Sequence, residues 1–121
     1  MPLRVESARL EAAVKRVSGL PVVRVAGEID IYTAPEFKSA INEAVSSGAT
    51  DLVVDLTDVS YMDSSGFGTL LGAAKRLTPK GGSVNLVGCS KAIERMLKIT
   101  RLDTIFRMFS DVDDAVAAIK G

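Results

Sequence analysis

Asp63-Ser64-Ser65 sets a carboxylate beside two hydroxyls, and Gly66-Phe67-Gly68 follows, at the point where an apolar run gives way to a helical pattern. Such a cluster could be a catalytic nucleophile, a helix cap, a phosphate site or a place where another protein attaches a group. Composition removes the first. The chain has no histidine, so it cannot build a Ser-His-Asp or Cys-His arrangement, and it lacks the usual nitrogen ligands of zinc. A nucleophile elbow carries glycine two residues before its serine. Here Met62 and Asp63 hold that spacing to Ser64 and Ser65.

Other sites fail on similar grounds. Gly66-Phe67-Gly68 lacks the third glycine of a dinucleotide fingerprint, and no stretch ends in the glycine-lysine-hydroxyl signature of a P-loop. No cofactor is expected. Asp55 and Asp58 flank a predicted loop, but no dense carboxylate set accompanies them, so they read as turn and cap residues rather than a cation site. Cys89 precedes a predicted helix cap and reads as a packing residue. As the one cysteine it cannot form an internal disulfide, in keeping with a reducing compartment.

The elements that position the cluster follow from periodicity. Leu3–Val5 and Val14–Val17 look strand-like, although the stretch RLEAAVKRV also fits a short helix. Turn chemistry at Ser18-Gly19-Leu20-Pro21 leads into a strand over Val22–Ala26, closed by Gly27. Thr33-Ala34-Pro35-Glu36 fits a capping box, with Thr33 at the N-cap and Glu36 three positions on. Phe37, Ala40, Ile41, Ala44 and Val45 then form one apolar helix face, which Gly48 ends.

A strand over Asp51–Leu56 and a loop from Thr57 to Asp63 come next, with Tyr61 and Met62 as core-edge residues. The helix after the cluster buries Phe67, Leu70, Leu71, Ala74 and Leu77, stops at Pro79-Lys80-Gly81-Gly82, and takes Asp63 or Ser64 as its cap. Ser83–Val87 is a strand, Ser90 caps a helix with Ile93, Met96 and Leu97 on its inner face, and Ile105–Phe109 is a last strand. Ser110-Asp111-Val112-Asp113 has capping-box spacing before a terminal helix through Ile119. The order ββαβαβαβα describes an α/β fold, a mixed sheet of about five strands with about four helices.

With 121 residues the chain is expected to form a single domain over residues 1–121. Fifteen basic residues balance fifteen acidic ones and lie scattered, which leaves no field to attract nucleic acid and no polybasic membrane patch. No apolar run reaches the roughly 20 residues of a membrane span, and the charged N-terminus lacks a signal-peptide core. The cytosol is the expected location, and proteins or small molecules the expected partners.

The stretch YMDSSGFG, with DLVVDLTDV before it and LLGAAKRL after it, resembles the signature of anti-sigma factor antagonists of the STAS domain family. A second segment, GEIDIYTA over residues 27–34, resembles the same family, and the likeness runs from about Val22 to the C-terminus. Phe67 stands where leucine is common, and the portion up to Leu20 departs in length. The resemblance implies that Ser64 is phosphorylated by a cognate anti-sigma factor that is itself a serine kinase. The unmodified form would bind that factor and free a sigma factor, and a PP2C-type phosphatase would reset the switch.

The partner-binding residues implied are Asp30, Thr33, Asp63, Ser64, Ser65, Gly66, Phe67 and Gly68. On the residues alone, Thr33 reads as a cap and Ser65 as a first-turn residue, while Asp30 either forms a turn or meets the partner. The glycines would let another backbone approach. A STAS scaffold or a subunit of a signalling or transport complex is the alternative reading; an enzyme is remote.

Overall fold

Ser18 and Gly19 both adopt positive φ, 53° and 83°, as a primed two-residue hairpin turn demands. They fold β1 (Leu10–Val17) back onto β2 (Leu20–Ile29) as an antiparallel pair. The computed structural model describes residues 10–121, so the strand expected at Leu3–Val5 lies outside the described residues. Over Leu10–Val17 the two-residue period wins over the helical one. Leu10, Ala12 and Val14 all pack on the core, as alternate residues of a half-buried strand do.

Four helices and three strands complete the described chain: α1 (Ala34–Ser46), β3 (Asp51–Met62), α2 (Ser64–Leu77), β4 (Ser83–Val87), α3 (Lys91–Ile99), β5 (Arg107–Phe109) and α4 (Val112–Lys120) follow β2 in order. The strands lie in the sheet in chain order, with β2, β3, β4 and β5 mutually parallel. Among the described residues, the expected mixed sheet of about five strands with about four helices is what forms, with five strands and four helices.

One face of the sheet, with Val23, Val25, Leu52, Val54 and Leu86, packs against Phe37 and Ile41 of α1, Leu70 and Leu77 of α2, and Ile93 and Leu97 of α3. All three crossovers thus lie on one side, as connections of a single hand between strands laid in order require. The other face buries Val22, Val53 and Val87 beneath Ala115 of α4. Among the described residues, no helix is long and apolar enough to cross a membrane.

Several boundaries differ from expectation. β2 runs on to Ile29 rather than closing at Gly27, and β3 runs to Met62 where a loop was expected from Thr57. Both extensions pair with each other, with register shifts beside Ala26 and Gly27 that the strand periodicity did not reveal. Ile105 lies outside β5, behind a 3₁₀ turn over Leu102–Thr104. Asp111, not Ser110, caps α4, its carboxylate accepting the Asp114 N–H at 2.8 Å. Asp58 pairs with Arg24 instead of capping, while Asp55 accepts from both the backbone and the hydroxyl of Thr57.

Gly82 is where β4 enters the sheet, and a Cβ there would sit 1.8 Å from the Thr50 carbonyl oxygen. Backbone cannot retreat like a side-chain tip. Gly82→Ala should therefore lower unfolding free energy by about 3 kcal/mol in urea titrations. Gly72→Ala, at an α2 position with open space around it, should instead gain about 1 kcal/mol from helix propensity.

Candidate functional site

Beyond Asp55, where its pairing with β4 ends, β3 pairs among the described residues with β2 alone, out to the Ile29–Met62 register. The Asp63 N–H then donates to the Ile29 carbonyl at 3.0 Å. This brings two chain exits together at one edge of the sheet, the β2–α1 turn and the start of α2. It is the carboxyl edge, where parallel sheets commonly place their sites.

The turn after β2 is held from within. One Asp30 carboxylate oxygen accepts the N–H groups of Tyr32 at 2.9 Å and Thr33 at 3.0 Å. The Thr33 hydroxyl, on a side chain only 3% exposed, donates to the Glu28 carbonyl at 2.8 Å and accepts the Asp30 N–H at 2.9 Å. That hydroxyl is therefore occupied, and the expected capping box with Glu36 does not form: Thr33 is the N-cap residue, but its side chain makes no cap bond. Asp30 and Thr33 shape the turn, and the turn lifts Ile31 and Tyr32 to 67% and 76% exposure.

The serine cluster divides by role. Asp63 is the N-cap of α2 in extended conformation, and its carboxylate accepts the Ser65 N–H at 2.8 Å. Ser64 is the first helical residue, exposed, and its hydroxyl makes no hydrogen bond within the described residues. Ser65 is half-buried and lines a separate groove of about 290 Å³ with Lys38, Asn42 and Arg76. The helix macrodipole and the free first-turn N–H groups make the surroundings of Ser64 hospitable to an anion.

Gly66 does not open the surface as expected; it is buried, and a Cβ there would meet Met62 Cγ at 2.4 Å and Ile29 Cγ2 at 2.9 Å. Its role is to let α2 settle on the strand ends. Phe67 lies inside too, at 8% exposure, while Gly68 is exposed with open space around it. Direct contact with another molecule is thus left, among the expected residues, to Ser64, Gly68 and the part-exposed edges of Asp30, Asp63 and Ser65.

Beside Ser64 a groove of about 410 Å³ is walled by Tyr61, Met62, Asp63, Phe67, Met96, Thr100 and Leu102. Its lining is mostly apolar. Tyr61, expected at the core edge, is 53% exposed, and Met96, expected on the inner face of α3, is 43% exposed. Leu71 is half-buried rather than inside. Sequence reasoning missed Ile31, Tyr32, Tyr61 and Met96 as surface residues. The available signal was two large apolar side chains, Ile31 and Tyr32, in a segment of turn chemistry.

Cys89 lines a third, polar hollow with Glu94, Ser110 and Asp114. Burial, with the Glu94 carboxylate adding to it, pushes its thiol pKa up to about 11.

Fold and site together define a mixed-sheet α/β domain whose candidate site is an exposed hydroxyl on one edge, next to an apolar groove. The chain belongs to the STAS domain family, whose profile matches residues 11–115. It is 43% identical over 84 residues to an anti-sigma-B factor antagonist of Listeria monocytogenes, covering 69% of this chain and 74% of that protein. It is 36% identical over 86 residues to the anti-sigma-B factor antagonist of Staphylococcus aureus, covering 71% and 80%. The crystal structure of an anti-sigma factor antagonist from Mycobacterium paratuberculosis superposes with a TM-score of 0.85 at 32% identity, covering 93% of this chain and 95% of that one.

Two outcomes follow from the geometry. Thr33→Val removes the hydroxyl that bridges Asp30 and Glu28, and urea denaturation should show a loss of about 1 to 2 kcal/mol. For Cys89 the raised pKa keeps the thiol protonated near neutrality. Its alkylation by iodoacetamide at pH 8 should run roughly 100-fold slower than that of an unperturbed cysteine, and should speed up only as the pH nears 11.

Proposed function

We propose that this chain is an anti-sigma factor antagonist switched by phosphorylation of Ser64. In its unmodified form it binds an anti-sigma factor with serine kinase activity and so frees a sigma factor for transcription. Phosphorylation ends that binding, and a PP2C-type phosphatase restores it. The chain is then a substrate in the cytosol, with no catalysis of its own. The observation that carries this reading is the state of Ser64: an exposed, unbonded hydroxyl on the first turn of a capped helix, beside an apolar groove. The names of the relatives supply the partner class.

The switch has a physical basis. A phosphoserine brings about −1.5 to −2 charges at neutral pH. The amino end of α2 tolerates them, so the fold stays intact. In a covered interface the same group faces the Asp63 carboxylate and must be desolvated or paired, which costs several kcal/mol. Each 1.4 kcal/mol is a factor of ten in affinity. Exposed Tyr32, Tyr61 and Met96 give the partner apolar anchors around the acceptor.

The experiment combines the protein with its candidate kinase and Mg-ATP and maps phosphate by mass spectrometry. Wild type should gain one phosphate at Ser64, and Ser64→Ala none while still binding the partner. Ser64→Glu should weaken binding at least about tenfold with a melting temperature within about 3 °C of wild type. Equal labelling of wild type and Ser64→Ala would remove Ser64 as the acceptor. Binding without any labelling would favour a STAS scaffold.

A further inference from the structure

Among the described residues only two other than glycine adopt positive φ, Ser18 and Arg101. The hairpin turn accounts for Ser18. Arg101 is different: it follows the C-cap Thr100 of α3 with φ 62° and ψ 18°, the left-handed position where helices favour glycine. Its N–H closes the helix on the Lys98 carbonyl at 3.2 Å, and glycine would do the same without the Cβ penalty. Its exposed guanidinium makes no hydrogen bond or ion pair within the described residues. Nothing in the fold explains an arginine there.

Its location does. Thr100 and Leu102, on either side of Arg101, both line the groove that opens beside Ser64. Among the described residues the only charged one in that lining is Asp63, whose carboxylate accepts the Ser65 N–H. Arg101 thus stands in the chain between two residues of an apolar groove, an exposed cation without a partner among the described residues, on backbone that carries a conformational cost. Strain held at such a place points to function.

We propose that Arg101 is a docking residue, whose guanidinium pairs with a carboxylate on the kinase partner while the groove takes an apolar side chain of the same partner. The proposal rests on the reading of Ser64 given above. A carboxylate fits because the guanidinium fork binds it through two parallel hydrogen bonds. A partner that covers Ser64 to phosphorylate it reaches the same groove, whose wall holds Ser64 together with Thr100 and Leu102 on either side of Arg101.

The test separates fold from docking by making them move in opposite directions. Arg101→Gly should raise the melting temperature by about 2 to 4 °C through relief of the left-handed strain. It should also weaken binding of the unphosphorylated protein to the kinase partner at least fivefold, with the gap from wild type closing as salt rises. Arg101→Lys should keep the wild-type melting temperature and recover part of the affinity. Unchanged affinity in Arg101→Gly would overturn the proposal, including the case where only the phosphorylated form responds and Arg101 serves the phosphate instead. Weaker binding together with a lower melting temperature would also overturn it, as a structural role. Wild type that neither binds the kinase nor is labelled at Ser64 would defeat the underlying reading, whereas a working wild type with an indifferent Arg101→Gly would defeat this inference alone.

Discussion

The ladder between the extended ends of β2 and β3 is the constraint on which the site depends. Past Asp55 the third strand pairs, among the described residues, with no strand other than β2, so its ladder bonds there depend on β2. The pairing has to bend to continue, and it absorbs the mismatch in two register shifts. Its last link, from Asp63 to the Ile29 carbonyl, fixes the distance between the turn bearing Tyr32 and the helix bearing Ser64. Neither feature could hold its position without the other strand.

Around that ladder the polar residues divide the work of order and exposure. Asp30, Thr33 and Asp63 spend their side chains on nearby backbone N–H groups, which is how a turn and a helix start become rigid. Gly66 lets the helix approach closely enough for Phe67 to reach the core. What these residues leave outward is a short row of apolar groups and one idle hydroxyl. A single charged modification on such a row changes recognition with little effect on packing, because the core lies one residue layer below it.

Helix faces were legible in the sequence because an amphipathic stripe repeats several times; Phe37 to Val45, and Phe67, Leu70, Ala74 and Leu77, lie as their spacing demands, with Leu71 the exception. The capped starts at Asp63 and Ser90 were legible for a similar reason, since side-chain caps act within three residues. The strand extensions were not, because Thr57-Asp58-Val59-Ser60 carries turn chemistry and is held extended by a strand whose partners Ala26 and Gly27 lie 32 residues away from Asp58 and Val59 in sequence. Thr33 illustrates the same limit: the capping-box pattern is present, but the Asp30 turn and the Glu28 carbonyl compete for the hydroxyl and win. At the serine cluster, residue type identified the position and the resemblance identified its use. Which members face outward depended on the Gly66 contact with Met62 and Ile29, a tertiary fact with no local signal.

The chain has two tyrosines and no tryptophan, and both tyrosines, Tyr32 and Tyr61, stand exposed at the edge that carries Ser64. Its intrinsic ultraviolet emission therefore originates almost wholly at this edge and hardly at all in the core. Unlabelled protein carries its own optical reporter of whatever covers the serine, and the same signal is a poor gauge of whether the interior has melted.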